Sequence, residues 1–255
     1  MSSNSGTKLL KTLSRSSEII ETIRELDGAG VNELADRLGM ASSTVHSHLV
    51  TLENLDLLIK QDDTYQIGLR FLDLGGYACH RRPEFMLAKE KVEELAEETE
   101  ERVQYIVEEH GRGIYLSTTT GANAVQVNAR IGKQTKLHAS AAGKAILAQY
   151  SREHVQDILD RHPPVKLTEN TITNLDNLFE ELSKIRDRGY SFNRGESIRG
   201  LYAIGVPIKN RDADVVGALS ISAPRNRMTG AHYEVELPNL LLGAANELEL
   251  NLAFA

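Results

Sequence analysis

Three groups of side chains in this chain have types and spacings that chemistry could use. The first is Leu137-His138-Ala139-Ser140-Ala141-Ala142-Gly143-Lys144-Ala145. Its Gly-Lys pair invites comparison with a phosphate-binding loop. That loop needs Gly where position 138 is His and Ser or Thr where position 145 is Ala, so the comparison fails twice. Ser140 beside His138 is the best local candidate for a nucleophile with its base. No G-x-S-x-G elbow surrounds it, and a hydroxyl that opens a helix is ordinarily a cap. Small residues at such a place also let the backbone approach a ligand, and free N–H groups there can hold an anion. The second group is Ser220 and Ser222, two apart in a strand-like run and therefore on one face. Such hydroxyls either bind a polar ligand or satisfy neighbouring backbone, and the spacing does not choose between them. The third group is Ser42, Ser43, Thr44, His46 and Ser47. They lie opposite an apolar stripe of Val45, Leu49, Leu52 and Leu55. A helix with one buried side and short hydrogen-bonding groups near its N-terminus suits the DNA major groove.

Other chemistry lacks its residues. His46 and His48 are two apart on a helix and face different ways, and no H-x-x-x-H or C-x-x-C occurs, so no metal site and no cofactor is expected. The single cysteine, Cys79, excludes an intramolecular disulfide and fits a reducing interior. No apolar run approaches the ~20 residues of a membrane span, and the N-terminus has no signal-peptide core. Cytoplasm is the expected compartment, with no membrane partner.

The 255 residues carry a net charge of −7, with 41% hydrophobic and 25% charged residues, as in an ordinary globular protein. Residues 1–80 hold seven Lys and Arg against eleven Asp and Glu. An acidic reader of DNA is an objection, because phosphate neutralisation supplies most non-specific affinity. Local cations must answer it: Lys8, Lys11 and Arg15 at the first helix and Lys60 on a hairpin. Excess acid with more Arg than Lys would suit a salt-rich cytoplasm.

Periodicity supplies the elements that place these groups. Ile19, Ile20, Ile23 and Leu26 predict a helix over 15–26, with Ser14 as N-cap. Val31–Leu38 is a second helix, with Asn32 a plausible N-cap and Gly39 as its left-handed end. A third starts near Ala41. Two strands, 57–60 and 65–67, follow around a polar turn at 61–64. This is the order of a winged helix-turn-helix. Another helix covers 69–77, weakened at Gly75-Gly76. Cys79-His80-Arg81-Arg82-Pro83 is a seam, and the domain boundary is placed there, giving 1–80 and 81–255. Phe85–Glu101 is a charged helix. Val103, Tyr105 and Val107 alternate as a half-buried strand; 113–117 and 124–127 are two more. Glu108-Glu109-His110-Gly111 is a hairpin turn. Helices are expected at 139–150, 152–161, 175–188 and from His232 to about Leu252, with strands at 190–193, 202–209 and 215–222. The second part is an α+β domain with a five- or six-stranded sheet, mixed in order.

The run Asn32-Glu33-Leu34-Ala35, Gly39-Met40, Ser43-Thr44-Val45, Leu49, Leu52, Tyr65-Gln66-Ile67-Gly68, Leu72 and Leu74-Gly75 resembles the N-terminal domain of IclR-type transcriptional regulators. The segment Leu137–Ala145 is similar to that family's L-H-A-S/T-A-x-G-K-A. Gly189-Tyr190, Gly200-Leu201, Ala203, Val206-Pro207-Ile208 and Gly217–Pro224 follow its C-terminal pattern. The resemblance spans roughly residues 15–252. It implies a winged helix-turn-helix joined by a helical linker to a GAF-like mixed-sheet effector domain. It also implies a repressor or activator that binds double-stranded operator DNA as a homodimer or homotetramer, dimerising largely through the DNA-binding domain, and answers to a small organic or aromatic acid. The matching pocket positions are Ala142, Gly143, Asn193, Leu201, Ala203, Ser220 and Ser222. Members that bind small α-keto acids carry Asp and Cys where this chain has Asn193 and Ala203, so that ligand is not carried over. Ser47 stands where the family often has Arg. Together these readings put Ser42, Ser43, Thr44, His46 and Ser47 at bases, Arg15 and Lys60 at phosphates, and no catalytic residue anywhere. The alternative is a metabolite-binding protein or enzyme whose winged helix serves only for dimerisation, or a protein-interaction module that binds no small molecule.

Overall fold

The computed structural model describes residues 9–124 and 129–254. The chain divides into two compact units, residues 1–78 and 79–255.

In the first unit, α1 (Lys11–Leu26), α2 (Val31–Leu38) and α3 (Ser42–Asn54) precede a hairpin of β1 (Leu58–Gln61) and β2 (Thr64–Ile67). The apolar stripes meet in one core: Ile19 and Ile23 from α1, Leu34 and Ala35 from α2, Val45, Leu49 and Leu52 from α3, and Leu58 and Tyr65 from the hairpin. A bridge between Ala29 and Tyr65 fastens the α1–α2 connection to the hairpin. Gly39 caps α2 in the left-handed region at φ 61°. Three expectations need correction. The first helix starts four residues early, at Lys11, and Ser14 lies inside it with Oγ turned back to Leu10 O at 3.4 Å. Asn32 is likewise inside α2, whose cap position is Gly30. Leu55 ends α3 and is 54% exposed, outside the buried stripe. Helix α4 (Arg70–His80) runs through Gly75-Gly76 without a break, and none of its residues is buried. The Lys8 position falls outside the described residues.

The second unit opens with α5 (Pro83–Thr99), then β3 (Arg102–Glu109) and β4 (Arg112–Thr120). The turn between those strands puts His110 and Gly111 at positive φ, 53° and 79°, as a tight hairpin demands. The strand expected at 124–127 falls, beyond Ala124, outside the described residues. Next come β5 (Gln134–Thr135), a 3-10 turn at Leu137–Ala139, α6 (Ala141–Leu147), α7 (Arg152–Arg161) and α8 (Leu175–Arg188). The helix expected over 139–150 is thus split and shortened, because Ser140 is extended and caps α6. β6 (Ser191–Arg194), β7 (Leu201–Lys209) and β8 (Val215–Pro224) complete the sheet, and a π turn at His232–Glu236 leads into α9 (Leu237–Phe254). The strand order is β5-β4-β3-β8-β7-β6, so the sheet is mixed in order, while every neighbouring pair is antiparallel.

Strand alternation divides this sheet into two buried faces. Val103, Tyr105 and Val107 of β3, Ile204, Val206 and Ile208 of β7, and Leu219, Ile221 and Ala223 of β8 pack with Val92, Leu95, Leu241 and Leu248 of α5 and α9. Ile106 and Ala218 on the other face meet Ala142, Ala145 and Ile146 of α6. Gly205 permits that close approach, since a Cβ there would lie 2.6 Å from the Ala141 carbonyl carbon.

Candidate functional site

Two places combine exposure or enclosure with polar groups, one in each unit. The first is α3. Burial of Val45, Leu49 and Leu52 turns Ser42, Ser43, Thr44, His46 and Ser47 outward, and all five are exposed. Ser47 Oγ donates to Ser43 O at 3.0 Å, which spends its proton and leaves its lone pairs outward. His48, half-buried, pairs through Nδ1 with Ser16 Oγ at 2.8 Å and so fixes α3 against α1. The two histidines therefore do face different ways. Lys60 is exposed on the hairpin, its Nζ 5.6 Å from the Tyr65 ring centroid. Arg15 pairs with Glu18 at 2.6 Å, both half-exposed. Such a surface pair contributes about 0–1 kcal/mol, so it does not commit the guanidinium.

The second is a cavity of about 460 Å³ between the sheet and α6. Its floor is the second face of the sheet. Arg102, Gln104 and Ile106 of β3 alternate into it, Ser220 and Ser222 come from β8, Leu201 and Ala203 from β7, and Asn193 from β6. Pairing aligns them in rows: Arg102 faces Ser222 and Gln104 faces Ser220 across β3 and β8, and Ala203 faces Ser222 and Asn193 across β7 and its neighbours. Ser140, Ala141 and Ala142 cover the floor from the α6 side. Gln104 Nε2 donates to Ser222 Oγ at 2.8 Å. Ser220 is 3% exposed, and its hydroxyl has no hydrogen-bond partner among the described residues.

Asn193 is a brace. Its Oδ1 accepts from the N–H groups of Gly195 and Glu196 at 3.0 and 2.9 Å. Its Nδ2 donates to Ala139 O at 2.7 Å and Ser197 Oγ at 3.2 Å. All four hydrogen-bonding positions of the amide are thereby used. The loop so shaped brings Ser197 and Ile198 to the cavity wall. Beneath it, Lys144 Nζ lies 2.6 Å from both carboxylate oxygens of Glu196, with the lysine side chain 1% exposed. Burial raises the Glu196 pKa, and the Lys144 charge opposes that rise.

Six of the seven pocket positions expected from the family pattern line this cavity; Gly143 does not. Its N–H donates to Ser140 Oγ at 3.1 Å, and a Cβ there would lie 2.3 Å from Leu137 O. Gly143 therefore serves the packing of α6 on the preceding turn, and its amide is not open to an anion. The chain's own reading missed Arg102, Gln104, Tyr115, Lys133 and Lys136, which also line the cavity. Burial raises the Tyr115 phenol pKa, opposed by its hydrogen bond to Thr135 and by the nearby Arg102. Among the described residues no three His, Cys, Asp or Glu side chains are placed to hold a metal ion, and no helix is long and apolar enough to cross a membrane.

Comparison with known proteins places this geometry. The domain described as bacterial transcriptional regulator IclR C-terminal matches residues 78–250, and the IclR helix-turn-helix domain matches residues 12–62. A relative in Halobacterium salinarum, a probable HTH-type transcriptional regulator ArcR, is 33% identical over 242 residues, covering 93% of this chain and 92% of the relative. The crystal structure of Thermotoga maritima IclR superposes with a TM-score of 0.77 at 28% identity, covering 95% of this chain and 98% of that one. An IclR homologue from Microbacterium hydrocarbonoxydans, solved with 4-hydroxybenzoate, has a TM-score of 0.78 at 24% identity, over 94% of this chain and 98% of that one, and shows the shared fold. An exposed face of hydrogen-bonding groups on α3 and a cavity against the sheet of the second unit, each within the stretch its domain matches, make this protein a member of the IclR family of transcriptional regulators, with a helix-turn-helix DNA-binding domain and an effector-binding domain.

Proposed function

We propose that the protein is a cytoplasmic regulator, not an enzyme, whose residues 1–80 read a double-stranded operator and whose residues 81–255 sense an organic acid. Ser42, Ser43, Thr44, His46 and Ser47 contact base edges in the major groove, and Arg15 and Lys60 contact phosphates. The observation that carries this is the two-sided character of α3, with its hydrogen-bonding groups exposed opposite a buried stripe. His46 and the lone pairs of Ser47 supply base contacts without an arginine. Sequence specificity then rests on short side chains and weak phosphate anchoring.

Two half-sites call for two copies. Leu69, Leu72 and Tyr77, at and along α4, are 82, 73 and 76% exposed, more apolar surface than one helix normally leaves to water. We assign this face to a homodimer, which can pair again as a homotetramer. The effector occupies the cavity through Ala142, Leu201, Ala203, Ser220 and Ser222, with Asn193 and Gly143 holding its walls. The aromatic acid bound by the Microbacterium homologue supports an acid ligand. It regulates by binding DNA-competent and incompetent assemblies unequally.

The His46→Ala, Ser47→Ala double variant is expected to lose sequence-specific retention of the operator in a gel shift while keeping its oligomeric state. Unchanged specific binding would reject α3 as the reader. The acidic balance of residues 1–80 favours the rival in which the winged helix only dimerises. Absence of any footprint on the chain's own upstream DNA, at any salt concentration, would support that rival.

A further inference from the structure

The cavity is electrostatically one-sided. Arg102, Lys133 and Lys136 line it, and among the described residues no aspartate or glutamate does. Whatever else each cation touches, the lining carries net positive charge. The cations occupy two places. Arg102 opens β3, is 4% exposed and faces Ser222 across the sheet. Lys133 and Lys136 flank the short edge strand β5, two strands along from β3, and are half-buried. Between these places the floor offers neutral donors: the Ser220 hydroxyl, unpartnered among the described residues and 3% exposed, and the Ser222 and Gln104 pair. Leu201 and Ala203 add apolar floor, and Leu167 and Ile198 close the remaining wall with apolar surface. A buried arginine keeps its charge at neutral pH even though burial lowers its pKa here. Its planar fork matches a carboxylate in a way that an ammonium does not.

We infer that the cavity takes an organic acid with two acidic groups, one seated on Arg102 beside Ser220 and Ser222 and the other on Lys133 and Lys136. Arg102 is then the residue that sets specificity for the buried acid group. The inference rests on the reading of this cavity as the effector site.

Titration calorimetry on the full chain tests it, with glutarate and phthalate as diacids and butyrate and benzoate as their monoacid counterparts. The diacids are expected to bind at least about tenfold tighter than the monoacids. Arg102→Gln should weaken diacid binding by about 10- to 100-fold, the usual consequence of deleting a charged hydrogen-bonding partner. Lys133→Gln with Lys136→Gln should bring the diacids down to the monoacid level. Arg102→Lys, which keeps the charge and loses the fork, covers the case in which the glutamine variant does not fold, and should bind diacids more weakly than the parent. Equal binding of monoacids and diacids, parental affinity in the Arg102 variants, or no binding of any probe at millimolar concentration would overturn the inference. A gel shift on the same preparations separates the two claims. Operator retention without diacid binding removes this inference and leaves the regulator standing. Diacid binding without operator retention does the reverse.

Discussion

His138 is a residue whose charge state the fold decides. It is 2% exposed, with Nε2 3.1 Å from Val165 O, and Lys136 and Lys144 lie close enough to oppose a second positive charge. Burial first, and those lysines after it, lower its pKa below the ordinary 6.5. The unfolded chain therefore binds a proton more readily than the folded one. The neutral form contributes stability in full above about pH 6.5, and this is lost as pH falls through the lower folded value. Urea melts between pH 7.5 and 5 are expected to show stability falling with acid, and His138→Gln should flatten that slope; an unchanged slope would remove His138 as its source. The serine beside it was legible as a cap from the sequence, and Ser140 does cap α6. Arg102 and Gln104 were not legible as site residues. They alternate with Val103 and Tyr105, and a strand with one apolar face reads as solvent-facing on the other. Only the covering α6, a long-range contact, turns that second face into a cavity floor.

At the scale of elements, the strongly periodic pieces were readable and the ends were not. α2, α7 and α8 follow from their apolar spacing, and Gly39 and Gly189 end two of them in the left-handed region as glycine allows. The start of α1 was missed because Lys11 and Thr12 carry no apolar signal. Ser140 reads as a cap, but the separate 3-10 turn at Leu137–Ala139 and the end of α6 at Leu147 carry no apolar signal of their own, so the helix expected over 139–150 is too long at both ends. The approach of α6 to β7 depends on the absence of a side chain at Gly205. Gly205→Val, forced against the Ala141 backbone at under 3 Å, is expected to cost about 1–3 kcal/mol and to displace α6. A lowered melting temperature in calorimetry, with weakened effector binding, would register it. A melting curve like the parent's would show that α6 has room to give.

At the scale of the whole molecule, the proposed reading of two half-sites calls for two copies, and the open face of α4 is the surface we assign to their contact. Leu72→Asp with Tyr77→Asp, which puts charge on the open face of α4, is expected to give monomers in sedimentation velocity and to weaken operator binding sharply; a retained dimer would move the interface elsewhere. The ion pair between Lys144 and Glu196 has a different kind of consequence, in how the sequence can drift. Replacing either partner alone leaves a buried charge without its counter-ion, a loss of about 3–5 kcal/mol, whereas replacing both with well-packed apolar residues can be neutral. These two positions can therefore change only together. Leu201, Ala203 and Ser220 carry no such linked charge and can vary one at a time. The cavity thus sits in a frame that resists single substitutions while these three positions of its floor accept them, so descendants of this chain can acquire new ligands without rebuilding the domain.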